Sequence, residues 1–349
     1  MTAVGSVTLR RMNLVCATCR LSACPLDDRL GLAEYVSPQA KRLACLAGGS
    51  WSFEKAAEHL QAFCGVQLSD EYIRELTLGT AAAVAHFAMK APEAVAPFQE
   101  AVGDVEFETD AVKVNTQDGW RDAKIAIFAK RPRGKSATID EWATRVLPKP
   151  TARFAFAGIA ESTTFAEGWE PTAKRLGIDP LTSDLTVLGD GAEWIWNRAA
   201  EVFPHARGVL DIFHAAEKMA DTIQVLFDDA AVAATQRERG RTLLLGDGYA
   251  GLTDWLGELL GQPTLGGDGA ALGGMMNYFA GHQERLNYVG RLHRGQSIGS
   301  GMVEGAAKNM IGKRLKANNA RWCEGNVNRM GAIVSSMYSG YWDQFWEGN

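Results

Sequence analysis

Val105-Glu-Phe-Glu-Thr-Asp-Ala-Val-Lys-Val-Asn115, then Asp118-Gly119, then Asp122-Ala-Lys-Ile-Ala-Ile-Phe-Ala-Lys130 read as a strand, a tight turn and a partner strand. Asp-Gly between two such runs is a hairpin signal, because the turn needs residues that tolerate a positive φ. Working outward, Arg153–Ile159 predicts a third strand, followed by a helix through Phe165, Trp169 and Ala173. Leu185–Leu188 is a short, wholly apolar strand ending in Gly189-Asp190-Gly191, and a helix follows it through Trp194, Ile195 and Ala199. Val209-Leu-Asp-Ile212 predicts a fifth strand. A hairpin, a third strand and then alternating helices and strands is the chain order of an RNase H-like α/β fold, an order that other α/β folds share.

The flanks are different. Residues 6–15 predict a strand leading into Cys16-Ala-Thr-Cys19. Three helices come next: one after the cap-like Ser37 through Lys41 and Leu46, one from Ser52 through Ala56, His59, Leu60 and Phe63, and one after Ser69 through Tyr72, Ile73 and Leu76 to Met89. Helix, short Gly turn and capped helix outline a helix-turn-helix, and equally any helical hairpin. The pattern breaks around Ala91–Pro97, which places the domain limits at 1–35 (strand and Cys pair), 36–98 (helical) and 99–349 (α/β). A helical insertion is expected over about 215–295, interrupted by a linker-like stretch, Gly261–Gly274, with six glycines. That stretch lacks the Lys-Ser/Thr ending of a phosphate-binding loop. A helix from near Ser300 carries Val303, Ala307, Met310, Ile311 and Leu315 on one side. Beyond Asn318-Asn319 a final helix runs through Val327, Met330, Ile333 and Met337 to the aromatic tail Tyr341, Trp342, Phe345 and Trp346.

At 349 residues the chain is long enough for two domains and a small appendage. Its 46% hydrophobic and 22% charged residues exclude disorder as the main state. There is no apolar run of the roughly 18 residues a membrane span needs. The first residues lack an apolar signal core, and six cysteines are too sparse for a disulfide scaffold, so a reduced, cytoplasmic protein is expected. The net charge of −5 argues mildly against a surface that grips DNA everywhere. Between Arg285 and Arg329, however, nine Arg and Lys face only Glu304 and Glu324. Such a window suits either a polyanion partner or a solvated basic helix.

Three acids stand out. Asp110 lies mid-strand, on the same parity as Glu106 and Glu108; Asp190 ends an apolar strand, where ligand sites of open α/β sheets gather; Glu304 opens a helix after Ile298-Gly-Ser-Gly301. Three acids in one cleft suit metal-assisted phosphoryl transfer, in which two Mg²⁺ ions about 3.5–4 Å apart activate one oxygen and stabilise another. Carboxylates match so hard a cation. The bland alternatives are a helix cap at Asp190 and a dipole partner at Glu304. Asp110 is harder to explain that way, since strands disfavour Asp and a buried acid needs a partner.

Leu188-Gly-Asp-Gly-Ala-Glu-Trp-Ile-Trp-Asn197, Asp211-Ile-Phe-His-Ala-Ala-Glu-Lys218 and Ile298-Gly-Ser-Gly-Met-Val-Glu-Gly-Ala-Ala-Lys-Asn309 resemble the catalytic blocks of DDE transposases of bacterial insertion sequences, in the Kra-type branch related to the Mutator-like group. Further likeness lies in Pro25–Leu32, Asp118–Asp122, Gly312–Leu315 and Ala320–Trp322, so it covers nearly the whole chain. The resemblance implies an RNase H-like catalytic domain in which Asp110, Asp190 and Glu304 are the metal ligands for two Mg²⁺, with Mn²⁺ as a substitute. Asp211 and His214 match the branch's Asp-x-x-His signature. Asp211 competes with Asp190 as second ligand, and Asp190 is preferred because the family's second Asp precedes that signature. His214 either positions a phosphate, supports the metal shell or is structural. The implied reaction hydrolyses a phosphodiester at an element end and joins the freed 3′-OH to target DNA.

The implied partners are the terminal inverted repeats, target DNA and further copies of the chain, with no membrane. Lys308, Lys313, Arg314, Lys316 and Arg321 are the expected backbone contacts. Trp194, Trp196 and Trp322 either stack on bases or belong to the core. Cys16 and Cys19 are half of a zinc ribbon, which needs four ligands. Cys24 offers a third and no fourth is evident, while related chains carry an earlier Cys pair, so a shortened or differently started copy is expected. Ser297 stands where relatives have proline. Two other readings share these residues: a copy that binds DNA without cleaving it, and a structure-selective nuclease on the same fold.

Overall fold

The first strand is shorter than the sequence predicts. In the computed structural model, which describes residues 1–30, 36–181, 184–261, 269–316 and 320–348, only Leu14–Val15 (β1) of residues 6–15 is paired, antiparallel to Ser22–Ala23 (β2). Val7, Leu9 and Met12 are exposed, so their alternation has no surface to bury against. After Pro25–Leu30 (α1), helices Pro38–Ser50 (α2), Phe53–Cys64 (α3) and Asp70–Lys90 (α4) begin where predicted. The side chains of Ser37, Ser52 and Ser69 accept from the backbone N–H of Ala40, Lys55 and Tyr72, satisfying otherwise orphaned donors. Residues 31–35, which include the end of the Pro25–Leu32 block and of the expected 1–35 segment, lie outside the described residues.

Ala96–Glu100 (α5) leads into Asp104–Thr116 (β3) and Gly119–Arg131 (β4), joined by a two-residue turn at Gln117-Asp118, one residue earlier than expected; Gly119, at a φ of 98°, already pairs with Thr116. Ala152–Ile159 (β5) follows. The single helix expected next is two, Ser162–Ala166 (α6) and Trp169–Arg175 (α7), separated at Gly168, which lies against the Phe156 ring. Leu185–Gly189 (β6), Glu193–Val202 (α8) and Arg207–Leu210 (β7) complete the sheet. Its order is β5-β4-β3-β6-β7, with β3, β6 and β7 parallel and the other two pairings antiparallel. The fifth strand was expected to include Asp211 and Ile212. It ends at Leu210, because Asp211 instead caps Ile212–Leu226 (α9).

The expected insertion is helical. Ala230–Leu260 (α10) reverses at Gly248, whose φ of 59° belongs to a region L side chains rarely adopt, and Arg239 and Glu258 pair across the resulting hairpin at 2.5 Å. Residues 262–268 of the expected linker lie outside the described residues. From Gly269 the stretch is Gly269–Ala280 (α11), not linker, because Leu272, Met275 and Phe279 are buried and α11 packs on α9. Tyr288–His293 (α12) precedes Gly301–Ala306 (α13), which continues through a π-helical turn at Ala307–Gly312 into Lys313–Leu315 (α14). Asn318 and Asn319 lie outside the described residues. Glu324–Ser339 (α15) and Trp342–Glu347 (α16) end the chain.

Alternation along β3 decides what each face of the sheet meets. Phe107 packs with Phe128, Trp169 and Phe203 on one side. On the other, Glu106 and Glu108 hold the segment leading into α13. Glu106 pairs with Arg131 at 2.8 Å and accepts from the Ser297 hydroxyl, while Glu108 accepts from the Val303 N–H at 2.7 Å. Burial, with Glu106 close by, pushes the Glu108 carboxyl well above its ordinary value.

The boundary expected at Ala91–Pro97 is not a break in packing. Helix α4 lies against α15, Phe87 meets Tyr341 and Phe345, and Arg42 pairs with Asp343 at 2.5 Å. One continuous buried cluster runs through both parts. No helix among the described residues is long and apolar enough to cross a membrane.

Candidate active site

The register of the parallel strands sets Asp110 beside Asp190. Glu108 pairs with Leu188, so the residues two further on stand at the same level and on the same face, with neighbouring strands about 4.8 Å apart. The next strand extends the row: Gly189 pairs with Leu210, and the Asp211 N–H donates to the Gly189 carbonyl at 2.8 Å. Asp110, Asp190 and Asp211 therefore cross three strands in a line. Two of them sit just past the carboxyl ends of their strands, where open sheets collect ligands.

Glu304 reaches this row on α13. Two anchors fix that helix: the Glu108–Val303 bond described above, and Asp211, whose Oδ2 accepts from both the backbone and the hydroxyl of Ser300. The other oxygen, Oδ1, accepts from the N–H groups of Phe213 at 2.6 Å and His214 at 3.0 Å. Asp211 is fully buried and its acceptor sites are used. Burial opposes its charge, but the contacts with His214 and Ser300 outweigh it and hold the carboxyl below its ordinary value. Asp211 thus joins the start of α9 to the turn before Glu304. Asp190 is half-buried and uses one oxygen, accepting from the Ala192 N–H at 2.9 Å.

The ring of His214 sits among the acids. Its Nδ1 lies 3.4 Å from Asp211 Oδ1, and Asp211 raises the imidazole pKa to about 9, assisted by Asp190 and Glu304. It is a cation at neutral pH. Burial, and the charge of Asp190, raise the Asp110 carboxyl; burial, and the charges of Asp211 and Asp110, raise that of Glu304. Asp110 and Glu304 therefore each feel the charge of another acid of the site. Among the described residues, the one group of three potential metal-ligating side chains with donor atoms mutually within 4.8 Å is Asp211, His214 and Glu304. The oxygens of Asp110, Asp190 and Glu304 do not all lie that close.

Helix α11 covers the site, and nothing in the sequence marked it. Its Tyr278 packs so closely on Gly191 that any Cβ there would overlap the ring. Burial, with Asp190 and Asp211, pushes that phenol up to about 12. His282 stacks edge-on against Tyr278 and Trp196, and Trp196 Nε1 donates to the Asp190 carbonyl at 2.8 Å. Trp196 and Trp322 are buried core residues, and Trp194 is half-buried against Trp169.

Of the expected DNA contacts, Lys308, Lys313, Lys316 and Arg321 are exposed. Arg314 is not available. It is 4% exposed, lies over the Phe53 and Trp322 rings and donates to the Gly48 carbonyl at 2.6 Å, which docks α14 onto α2. Helix α4 opens with Asp70, Glu71 and Glu75, and Arg74 is paired to Glu71, so the residues a recognition helix would present first are acidic. Cys16 and Cys19 form an exposed knuckle in which the Cys19 N–H points to Cys16 Sγ and lowers that thiol to about 7. Cys24 bonds instead to the Met12 carbonyl, and the thiols form no three-ligand group among the described residues. No protein-family model matches the chain, and no curated protein matches it.

Proposed function

We propose that this protein is a DDE-type transposase that cleaves DNA at element ends and transfers the freed strand to a target, using Mg²⁺ or Mn²⁺ held by Asp110, Asp190 and Glu304. The observation that carries this reading is the level register of Asp110 and Asp190, with Glu304 brought over them by two buried carboxylate anchors. The sheet order, antiparallel hairpin first and parallel strands after, supports an RNase H-like architecture. The donor set fits a hard cation pair: clustered carboxylates, two with raised proton affinity, and only His214 to balance them.

When bound, such ions supply an activated water and stabilise the leaving oxygen of an in-line displacement. The chain's own groups provide the rest. Glu108 and Asp211 keep Glu304 from drifting, so little reorganisation is needed when substrate arrives. The His214 imidazolium offers a donor to a phosphate oxygen at the rim of the acid row. Lys308, Lys313, Lys316 and Arg321 present cations to the DNA backbone, and a second copy of the chain would serve the second element end. Tyr278 and His282 close one side of the Asp190 loop, limiting water there.

The test incubates the protein with DNA carrying the flanking inverted repeats, Mg²⁺ and a target plasmid. Cleavage and 3′-end joining, both lost with Asp190→Asn, are expected. Cutting without joining would make the protein a nuclease, and binding without cutting would make it a DNA-recognition protein.

A further inference from the structure

Beside α13, a cleft of about 470 Å³ lies between the β4–β5 connection and the start of α9. That is room for a small organic ligand. On a chain of net charge −5, not one carboxylate lines it, yet four cations do. One of them, Arg131, is committed to Glu106 and to the Pro148 carbonyl. Arg145, Lys149 and Arg153 make no direct ion pair among the described residues, although Glu106 acts on Arg145 from a distance. Arg145 is half-buried, and its Nη1 is out of solvent contact with no hydrogen-bond partner among the described residues. The Arg145 guanidinium lines the cleft with its charge uncompensated by a direct ion pair.

Three rings accompany these cations. Trp142 and Phe213 meet at 5.5 Å between centroids, and Phe213 remains 55% exposed although it neighbours His214. Tyr338 lies beneath the Arg153 guanidinium at 4.3 Å. Aromatic faces beside arginines recognise a flat base and its phosphate together.

We propose that this cleft is a nucleotide-binding pocket, in which the Trp142, Phe213 and Tyr338 rings receive a base and Arg145, Lys149 and Arg153 receive its phosphate. Gly301 and Gly305 of α13 form the wall, so the pocket adjoins the Glu304 helix while sharing none of the acid row. The same chemistry is offered by a nucleotide displaced from a nucleic-acid strand and by a free mononucleotide. The pocket goes beyond the cation-site reading and does not depend on it.

Calorimetric titration of the full chain in EDTA separates the two. Thymidine 5′-monophosphate is expected to bind saturably, with thymidine and inorganic phosphate each weaker by about tenfold or more, because each supplies half of the contacts. Arg145→Gln is expected to weaken the monophosphate by about tenfold while leaving thymidine unchanged. Lys149→Gln, at an exposed position, gives a smaller loss in the same direction and reads the pocket even where Arg145→Gln does not fold. Asp190→Asn should bind as wild type. A short single-stranded oligothymidylate that binds more tightly than the monophosphate identifies a strand as the source, and weaker binding identifies the free nucleotide. Absence of saturable monophosphate binding by the folded wild type, or wild-type affinity in both Arg145→Gln and Lys149→Gln, overturns the proposal.

Discussion

Asp190 and Asp211 occupy equivalent places, one residue past the ends of neighbouring parallel strands, and the structure uses them in opposite ways. Asp211 is sealed, with both oxygens saturated by Phe213, His214 and Ser300. Asp190 spends one oxygen on a local turn and keeps a half-buried carboxylate facing Asp110. An acid that is fully bonded positions other groups, whereas one left partly unsatisfied beside another acid is available to a cation. Position at a strand end alone does not separate the two; the donors each already engages do distinguish them.

The contrast can be broken most directly by activity. Asp190→Asn should lower Mg²⁺-dependent cleavage by more than about a hundredfold, beyond the loss of an outer-shell partner, and leave thermal stability near wild type. If Asp190→Asn melts early and still cleaves, the two aspartates have been assigned the wrong way round. Asp211→Ala should instead cost about 2–4 kcal/mol in urea unfolding, since it strips a helix cap and leaves the Ser300 donors unpaired. Arg314→Ala should cost about 2–3 kcal/mol by the same measurement, through lost packing and a lost bond to Gly48.

The pH dependence sharpens the role of Asp211 further. Its partner His214 has a folded pKa of about 9 against an ordinary 6.5, raised by Asp211. The stabilisation from that pair is fully present below 6.5 and disappears as pH rises through 9. In EDTA, the melting-temperature difference between wild type and His214→Gln should accordingly shrink from pH 6 to pH 9.5; a constant difference would detach His214 from Asp211. The smallest effect concerns DNA. Lys313→Ala and Lys316→Ala should each lower the salt slope of binding by about one, while Arg314→Ala leaves that slope unchanged.

Local chemistry was legible in the sequence. Ser37, Ser52 and Ser69 announced three helix starts, and Asp118-Gly119 announced the hairpin, because caps and turns depend on a few adjacent residues. Strand position drew attention to Asp110 and Asp190, and the parallel register does set them level. What could not be read depended on contacts distant in the chain. Nothing near Glu106 and Glu108 in the sequence announced their partners Ser297 and Val303. Arg314 sat in a basic run that charge patterning alone cannot separate from its buried role over Phe53 and Trp322. Residues 6–13 read like a strand and stayed unpaired, since a strand pattern specifies a face only where a core exists to receive it.

The packing of α4 on α15, with Phe87 among the C-terminal aromatics, bears on how the molecule comes apart. The helical N-terminal region shares its apolar interior with the last helices of the chain, so the two ends melt together. A fragment covering 36–98 alone would expose that interior and fail to hold a fixed shape, and calorimetry on the intact chain should give a single endotherm from these two regions.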